Sequence, residues 1–235
     1  MYLKTPFRDI AKWDIKIFSL LQNNSFINGL LNKELMATEQ QLLVPLDVYL
    51  KVGLHIGTKY KTKYMEPFIY KIRPDGLSVM NVQKIDERIG IAAKFLSQFE
   101  PKDILVVCRR ENGQKAVRLF SKITGIRSFA GRYPPGILTN SALDTFSEAK
   151  IMLITDPWPD KNAIRDAVRV GIPVIGLCDT NNEANYLDLV VPMNNKGKKS
   201  LALLFFILSK EYLKSKGIIK DDSEFKYTLD DFTPD

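Results

Sequence analysis

The sequence predicts an α/β fold: a doubly wound, mainly parallel sheet flanked by helices, in a single domain. Three observations lead there. The runs ILVVC (104–108), IMLIT (151–155) and PVIGLC (173–178) are apolar at nearly every position, as in strands buried on both faces. Amphipathic stretches of helical period separate them. The order strand, helix, strand, helix recurs, which requires crossovers between parallel strands.

The elements follow from residue 68 onward. FIYKI (68–72) and LSVMNV (77–82) flank Arg73-Pro74-Asp75-Gly76, whose turn chemistry predicts a hairpin. Ile85, Ile89, Ala92, Ala93 and Leu96 then share one helical face, with Lys84, Glu87, Lys94 and Gln98 away from it. After the 104–108 strand, Ala116, Leu119, Phe120 and Ile123 mark a helix that Gly125 can terminate. After the 151–155 strand, Ile164, Ala167 and Val168 predict a helix ending at Gly171. The run 173–178 is a third buried strand, LDLVV (187–191) a fourth, and 201–214 the last long helix. The segment 127–140 (RSFAGRYPPGILTN) reads as a loop stiffened by Pro and Gly.

Residues 1–35 stand outside this scheme. Ile15, Ile17, Phe18, Leu20 and Leu21 form a short apolar cluster, but residues 22–28 carry little periodicity, and residues 36–40 (MATEQ) look like a fresh polar N-terminus. The expectation is an N-terminal extension over 1–35, untranslated or disordered, an α/β domain over 36–220, and an acidic C-terminal tail over 221–235.

Charge is unevenly placed. Of the net +7 in 235 residues, 36–220 carry +10, 1–35 carry +2, and the tail (DDSEFKYTLDDFTPD) carries −5. A basic body with an acidic, aromatic-bearing tail suggests a polyanion partner for the body and a protein partner for the tail. The longest apolar run, 201–208, has eight residues, against about 20 for a membrane-spanning helix. No secretory h-region opens the chain, so it reads as cytoplasmic, without a membrane. Cys108, Cys178 and His55 are too few for the usual four-ligand zinc site, and the two thiols read as small core residues.

Chemistry in such sheets sits beyond the carboxyl ends of the strands. Asp156 and Asp179 follow neighbouring strands, the placement of an acid pair in a nucleotide- or phosphosugar-binding enzyme. The plainer reading is two turn or capping residues. Residues 192–200 (PMNNKGKKS) only echo a phosphate loop, because Pro192 stands where its first Gly belongs, and no strand-linked GxGxxG occurs. Lone His55 reads as a packing or hydrogen-bonding residue. No catalytic constellation emerges, and no cofactor or small-molecule substrate is expected.

Basic loops interleaved with aromatics are the stronger signal. They are Lys59, Lys61 and Lys63 with Tyr60 and Tyr64; Arg127 and Arg132 with Phe129 and Tyr133; and Lys196, Lys198 and Lys199 at the start of the last helix. Lysine and arginine displace counterions from phosphates, and exposed aromatics stack on unpaired bases. The candidate RNA-binding residues are therefore Lys59, Lys61, Lys63, Arg132, Lys196, Lys198 and Lys199. Arg109 and Arg110 rank second, because Asp156 or Glu111 could pair with them.

Taken together, 42–89, GRYPPGILTN (131–140), 153–181 and 191–213 resemble the small-subunit ribosomal protein S2 family of archaeal type, to which the eukaryotic laminin-receptor-related ribosomal protein SA is close. The resemblance covers about residues 42–232. His55-Ile56-Gly57, Arg73-Pro74-Asp75-Gly76, Asp156-Pro157, Asp179-Thr180-Asn181 and Asn194-Asn195-Lys196-Gly197 match the family's motifs. It implies a flavodoxin-like domain that is a structural constituent of the small ribosomal subunit, with a role in translation. Its partners would be small-subunit rRNA and neighbouring ribosomal proteins near the junction of head and body, and it would catalyse nothing. Ile137 departs from the family's usual Thr and removes a hydroxyl. The bacterial helical-hairpin insertion and the long eukaryotic C-terminal extension have no counterpart.

Overall fold

A computed structural model describes residues 42–220 and 224–234. The expectations for 1–35 and for Met36 as the start lie outside the described residues.

The chain enters through α1 (Leu46–Val52), closed by Gly53 in the left-handed region. A hairpin follows, β1 (Ile69–Ile72) antiparallel to β2 (Ser78–Met80). Its turn is closed by Arg73 N–H to the Leu77 carbonyl at 2.9 Å, with Gly76 at φ 82°. Phe68 falls in a single 3-10 turn (Glu66–Phe68), and Asn81 leaves the strand to cap α2 (Val82–Ser97) by accepting the Gln83 N–H at 2.9 Å. All five residues assigned to the inner face of α2 are buried, and Asp86 is buried beside them.

The main sheet has five parallel strands: β3 (Ile104–Cys108), β4 (Arg127–Ala130), β5 (Ile151–Ile154), β6 (Val174–Cys178) and β7 (Leu189–Pro192), in the order β4-β3-β5-β6-β7. Counted within the sheet this is 2-1-3-4-5, the flavodoxin-like order, with the switch point between β3 and β5. The helices are α3 (Glu111–Thr124), α4 (Lys161–Val170) and α5 (Lys198–Ser215), with α6 (Leu229–Phe232) near the C-terminus.

Alternation along the strands builds two cores. Ile104, Val106, Cys108, Leu153, Ile175 and Leu177 pack with α2, α3 and α5, whereas Leu105, Val107, Met152, Ile154 and Val174 pack with α4. Helices therefore cover both faces, which explains why these strands read as unbroken apolar runs.

Three readings are corrected. Residues 127–130 form an edge strand, not a loop; half-exposed, with Arg and Ser in its first two positions, it lacks the continuous apolar run of a central strand. The fourth predicted strand starts at Leu189 because Leu187 turns inward over Gly176, where a Cβ would come within 2.5 Å of it. Val168 is 45% exposed. The buried arc of α4 instead passes through Ala163, Asp166 and Ala167, since Asp166 is drawn in to accept the Gly136 N–H at 2.9 Å.

Two of the tail's aromatic residues pack against the domain, while Tyr227 stays exposed. Phe225 and Phe232 meet Phe206 of α5 edge-on at 5.5 and 5.9 Å. Among the described residues no helix is long and apolar enough to cross a membrane.

Candidate nucleic-acid interface at the carboxyl edge of the sheet

Four loops leave the carboxyl ends of β3, β5, β6 and β7, and short polar side chains bind them together. At the switch point, Arg110 directs Nε and a terminal nitrogen to Oδ2 of fully buried Asp156. The other carboxylate oxygen, Oδ1, accepts the Trp158 N–H and Asn182 Nδ2, both at 3.0 Å. Asp160 is buried alongside; its Oδ1 has no partner, and burial raises its carboxyl pKa to about 7. Gly113 lets α3 close on β3, since a Cβ there would sit 2.8 Å from Cys108 Sγ.

Asp179 lies at the next strand end. It accepts the Thr180 N–H at 2.6 Å and pairs with Lys196 Nζ at 3.0 Å. Asn182 Oδ1 accepts the Asp179 N–H at 2.8 Å and Asn195 Nδ2 at 3.0 Å. The two aspartates do follow adjacent strands, but each is paired with its own cation, Arg110 or Lys196. An acid pair is not what this geometry holds; both are turn-building carboxylates. The two thiols are buried and unpaired with each other; burial pushes Cys108 up to about 11 and Cys178 further. Neither is a thiolate at neutral pH. His55 is half-buried, its Nδ1 has no partner, and burial lowers its pKa. Among the described residues no group of His, Cys, Asp or Glu could hold a metal.

The lysine-rich loop docks on this network. Gly57 donates its N–H to the Ser78 carbonyl at 2.8 Å, and a Cβ at Gly57 would lie 2.5 Å from Thr180. Thr58 N–H reaches Thr180 Oγ1 at 2.9 Å; Thr62 donates its N–H to the Thr180 carbonyl and its hydroxyl to the Asn182 carbonyl, both at 2.9 Å. Two threonines thus pin the backbone, while Lys59, Lys63, Tyr60 and Tyr64 stay exposed. Lys61 is paired with Glu66 at 2.9 Å across exposed surface.

The other candidates are placed less uniformly. Lys196 is held by Asp179 and by Asn181 Oδ1 at 2.9 Å. Backbone N–H groups at a helix start can hold an anion, but here Asn194 Oδ1 already accepts those of Lys196 and Gly197, at 3.0 and 3.2 Å. Lys198 and Lys199 are exposed in the first turn of α5. Arg132 is exposed just after β4, three strands from β6 and so roughly 14 Å away at ordinary strand spacing. The structure joins the 59–63 loop to Lys196 but not to Arg132. The aromatics near Arg132 do not serve as base platforms: Tyr133 is buried beside Asp166, and Phe129 packs edge-on against it at 6.0 Å.

Thr58, Thr62, Asn182 and Asn195 went unmarked as partners. Asn195 lies in a motif the resemblance already quoted, whereas Thr58, Thr62 and Asn182 carry no local signal of their partners.

A flavodoxin-like sheet whose switch-point carboxylate, Asp156, is paired with Arg110, and whose rim carries a pinned lysine loop, has the architecture of a binding or scaffold protein. Comparison with known proteins agrees: residues 49–147 and 141–215 match the family model described as ribosomal protein S2. A small ribosomal subunit protein uS2 from Nanoarchaeum equitans is 50% identical over 190 residues, 81% of this chain and 94% of that protein. Those from Picrophilus torridus and Thermoplasma acidophilum are 47% and 44% identical over 194 residues, covering 97% and 98% of their own lengths. The chain belongs to the ribosomal protein S2 family, and its role is structural rather than catalytic.

Proposed function

We propose that the chain is built into the small ribosomal subunit in the cytoplasm, near the junction of head and body, and binds small-subunit rRNA and neighbouring ribosomal proteins through the carboxyl edge of its sheet. The observation that carries this is the 58–63 loop, whose backbone is fixed by Thr58 and Thr62 while Lys59 and Lys63 remain in solvent. A rigid backbone presenting mobile cations suits phosphate, because little order remains to be imposed on binding.

Lys59, Lys63, Arg132 and Lys199 contact phosphate directly in this reading. Lys61, Lys196 and Lys198 contribute to the positive field, with Lys61 and Lys196 keeping their carboxylate partners. Residues 36–220 form the ribosomal domain, 1–35 are a dispensable extension, and the acidic tail offers its carboxylates to a protein neighbour while Phe225 and Phe232 pack against α5.

Sedimentation of the tagged full chain tests the proposal. It should travel with small subunits and leave them as salt rises. Neutralising Lys59, Lys61 and Lys63 together should lower the salt slope by about one unit per lost phosphate contact. A chain that never enters the subunit fraction would refute the ribosomal reading. A triple variant that enters normally at every salt concentration would refute the role of the lysines. Deleting 1–35 should leave entry unchanged.

A further inference from the structure

A cavity of about 440 Å³ opens beside the carboxyl ends of β5 and β6, and none of the candidate RNA-binding residues lines it. Trp158 and Tyr186 line it with 69% and 71% of their surfaces exposed. Trp158 is held between Pro157 and Pro159 by its N–H bond to Asp156. Tyr186 has φ 65°, the one non-glycine residue among those described in the left-handed region. That conformation is costly for a bulky side chain. The inward turn of Leu187, whose N–H bonds to the Ala184 carbonyl at 3.2 Å, holds it there.

Lys161 and Arg165, one helical turn apart on α4, supply positive charge at the same cavity against one acid, Glu183. The Asn181 carbonyl oxygen accepts from Lys196 Nζ, which leaves its NH2 group; Asn185 donates its NH2 group to Glu183, which leaves its carbonyl oxygen. The cavity thus offers two aromatic faces, phosphate-binding cations, one amide donor and one amide acceptor.

We propose that this cavity holds one unstacked base of single-stranded RNA, with Trp158 and Tyr186 against the base and Lys161 and Arg165 on its flanking phosphates. This rests on the rRNA-binding reading above and names a second contact within it. RNA is favoured over a peptide by the excess of cations and by position. The loop 181–182 that lines the cavity is the one on which Thr62 pins the lysine loop, so a backbone tracking Lys59 and Lys63 passes the cavity mouth. Aromatic rings with amides at the base edge are the usual recognition set for splayed-out RNA bases.

The test uses native small subunits carrying the full chain. Irradiation at 254 nm followed by mass spectrometry should find a nucleotide adduct on Trp158 or Tyr186. In subunits carrying Trp158→Ala or Tyr186→Ala, one rRNA base should become at least fivefold more reactive to base-modifying reagents, and Trp158→Phe should largely restore its protection. Both side chains are mostly exposed, so these variants should still enter subunits. Normal entry with no adduct and unchanged base reactivity would overturn the cavity proposal and leave the ribosomal reading standing. A cross-link from Trp158 or Tyr186 to a protein neighbour would overturn it in favour of a peptide occupant. Absence of the wild-type chain from subunits would overturn both.

Discussion

Two crevices lie side by side along the same sheet edge, between β3 and β5 and between β5 and β6, and their side chains are committed differently. The first is the topological switch point, where doubly wound folds ordinarily place a ligand. Here Arg110 is paired with buried Asp156, and Arg109, Arg110, Trp158 and Pro159 line a shallow space of about 400 Å³. The second is open, walled by Trp158 and Tyr186 and bordered by the threonine-pinned lysine loop. Topology provides the crevices; the side chains after each strand decide which polar groups are left for a ligand. In this chain the buried carboxylate at the position that topology favours is already paired with a cation.

The contrast can be broken most forcefully at the ion pair. Arg110→Ala leaves Asp156 fully buried without its cation, which should cost about 3 kcal/mol in urea unfolding at pH 7. Arg110→Ala combined with Asp156→Asn should lose less, because no buried charge is stranded. A single variant as stable as wild type would mean that the ion pair contributes nothing to holding the loops after β3 and β5 together.

Gly57→Ala attacks the other crevice by inserting a methyl 2.5 Å from Thr180. A loss of about 2 kcal/mol is expected from overpacking, with weaker subunit association because the lysine loop is displaced. Unchanged association in a folded variant would show that the pinning is irrelevant to binding.

Asp160 gives a pH-dependent test of the switch-point side. Its carboxyl is raised from 3.8 to about 7, so the folded state holds a proton that the unfolded state releases. Stability from this group is complete below about pH 4 and is lost as pH rises through about 7. The window is worth about 1.4 kcal/mol per pH unit, but the new amide N–H in Asp160→Asn needs a partner and forfeits part of that. The variant should be roughly 1 kcal/mol more stable than wild type at pH 8, the advantage shrinking and then reversing as pH falls toward 4. A gap of equal size at both pH values would remove the linkage.

The smallest expected effect belongs to the open side. Neutralising Lys59 and Lys63 should change unfolding free energy by no more than about 0.5 kcal/mol. A larger loss would mean that these lysines support the fold as well as any RNA contact.

From residues alone, the interior strands were legible. Burial on both faces forces an uninterrupted apolar run, and β3, β5 and β6 stand within a residue of where those runs predict them. The buried face of α2 and the hairpin turn were legible too, because 3.6-residue periodicity and Arg73-Pro74-Asp75-Gly76 are local signals. So was the exposure of the 59–63 lysines. Less was visible where burial is partial: β4 has one neighbour and half-exposed residues, so its pattern resembles a loop. Tyr133 and Phe129 looked like surface aromatics because their neighbours in the chain are basic, and only the packing against Asp166 and α4 shows them to be interior.

What the sequence by itself determined, then, is the α/β class, the strands buried on both sides and the lysine-rich character of one rim, since each follows from residues within a few positions of one another. Tertiary structure alone decided which polar groups in the two crevices are already paired and which remain for a ligand. Thr58 meets Thr180 across 122 residues, and Arg110 meets Asp156 across 46. No local pattern encodes a hydrogen bond between loops that only the completed sheet brings together.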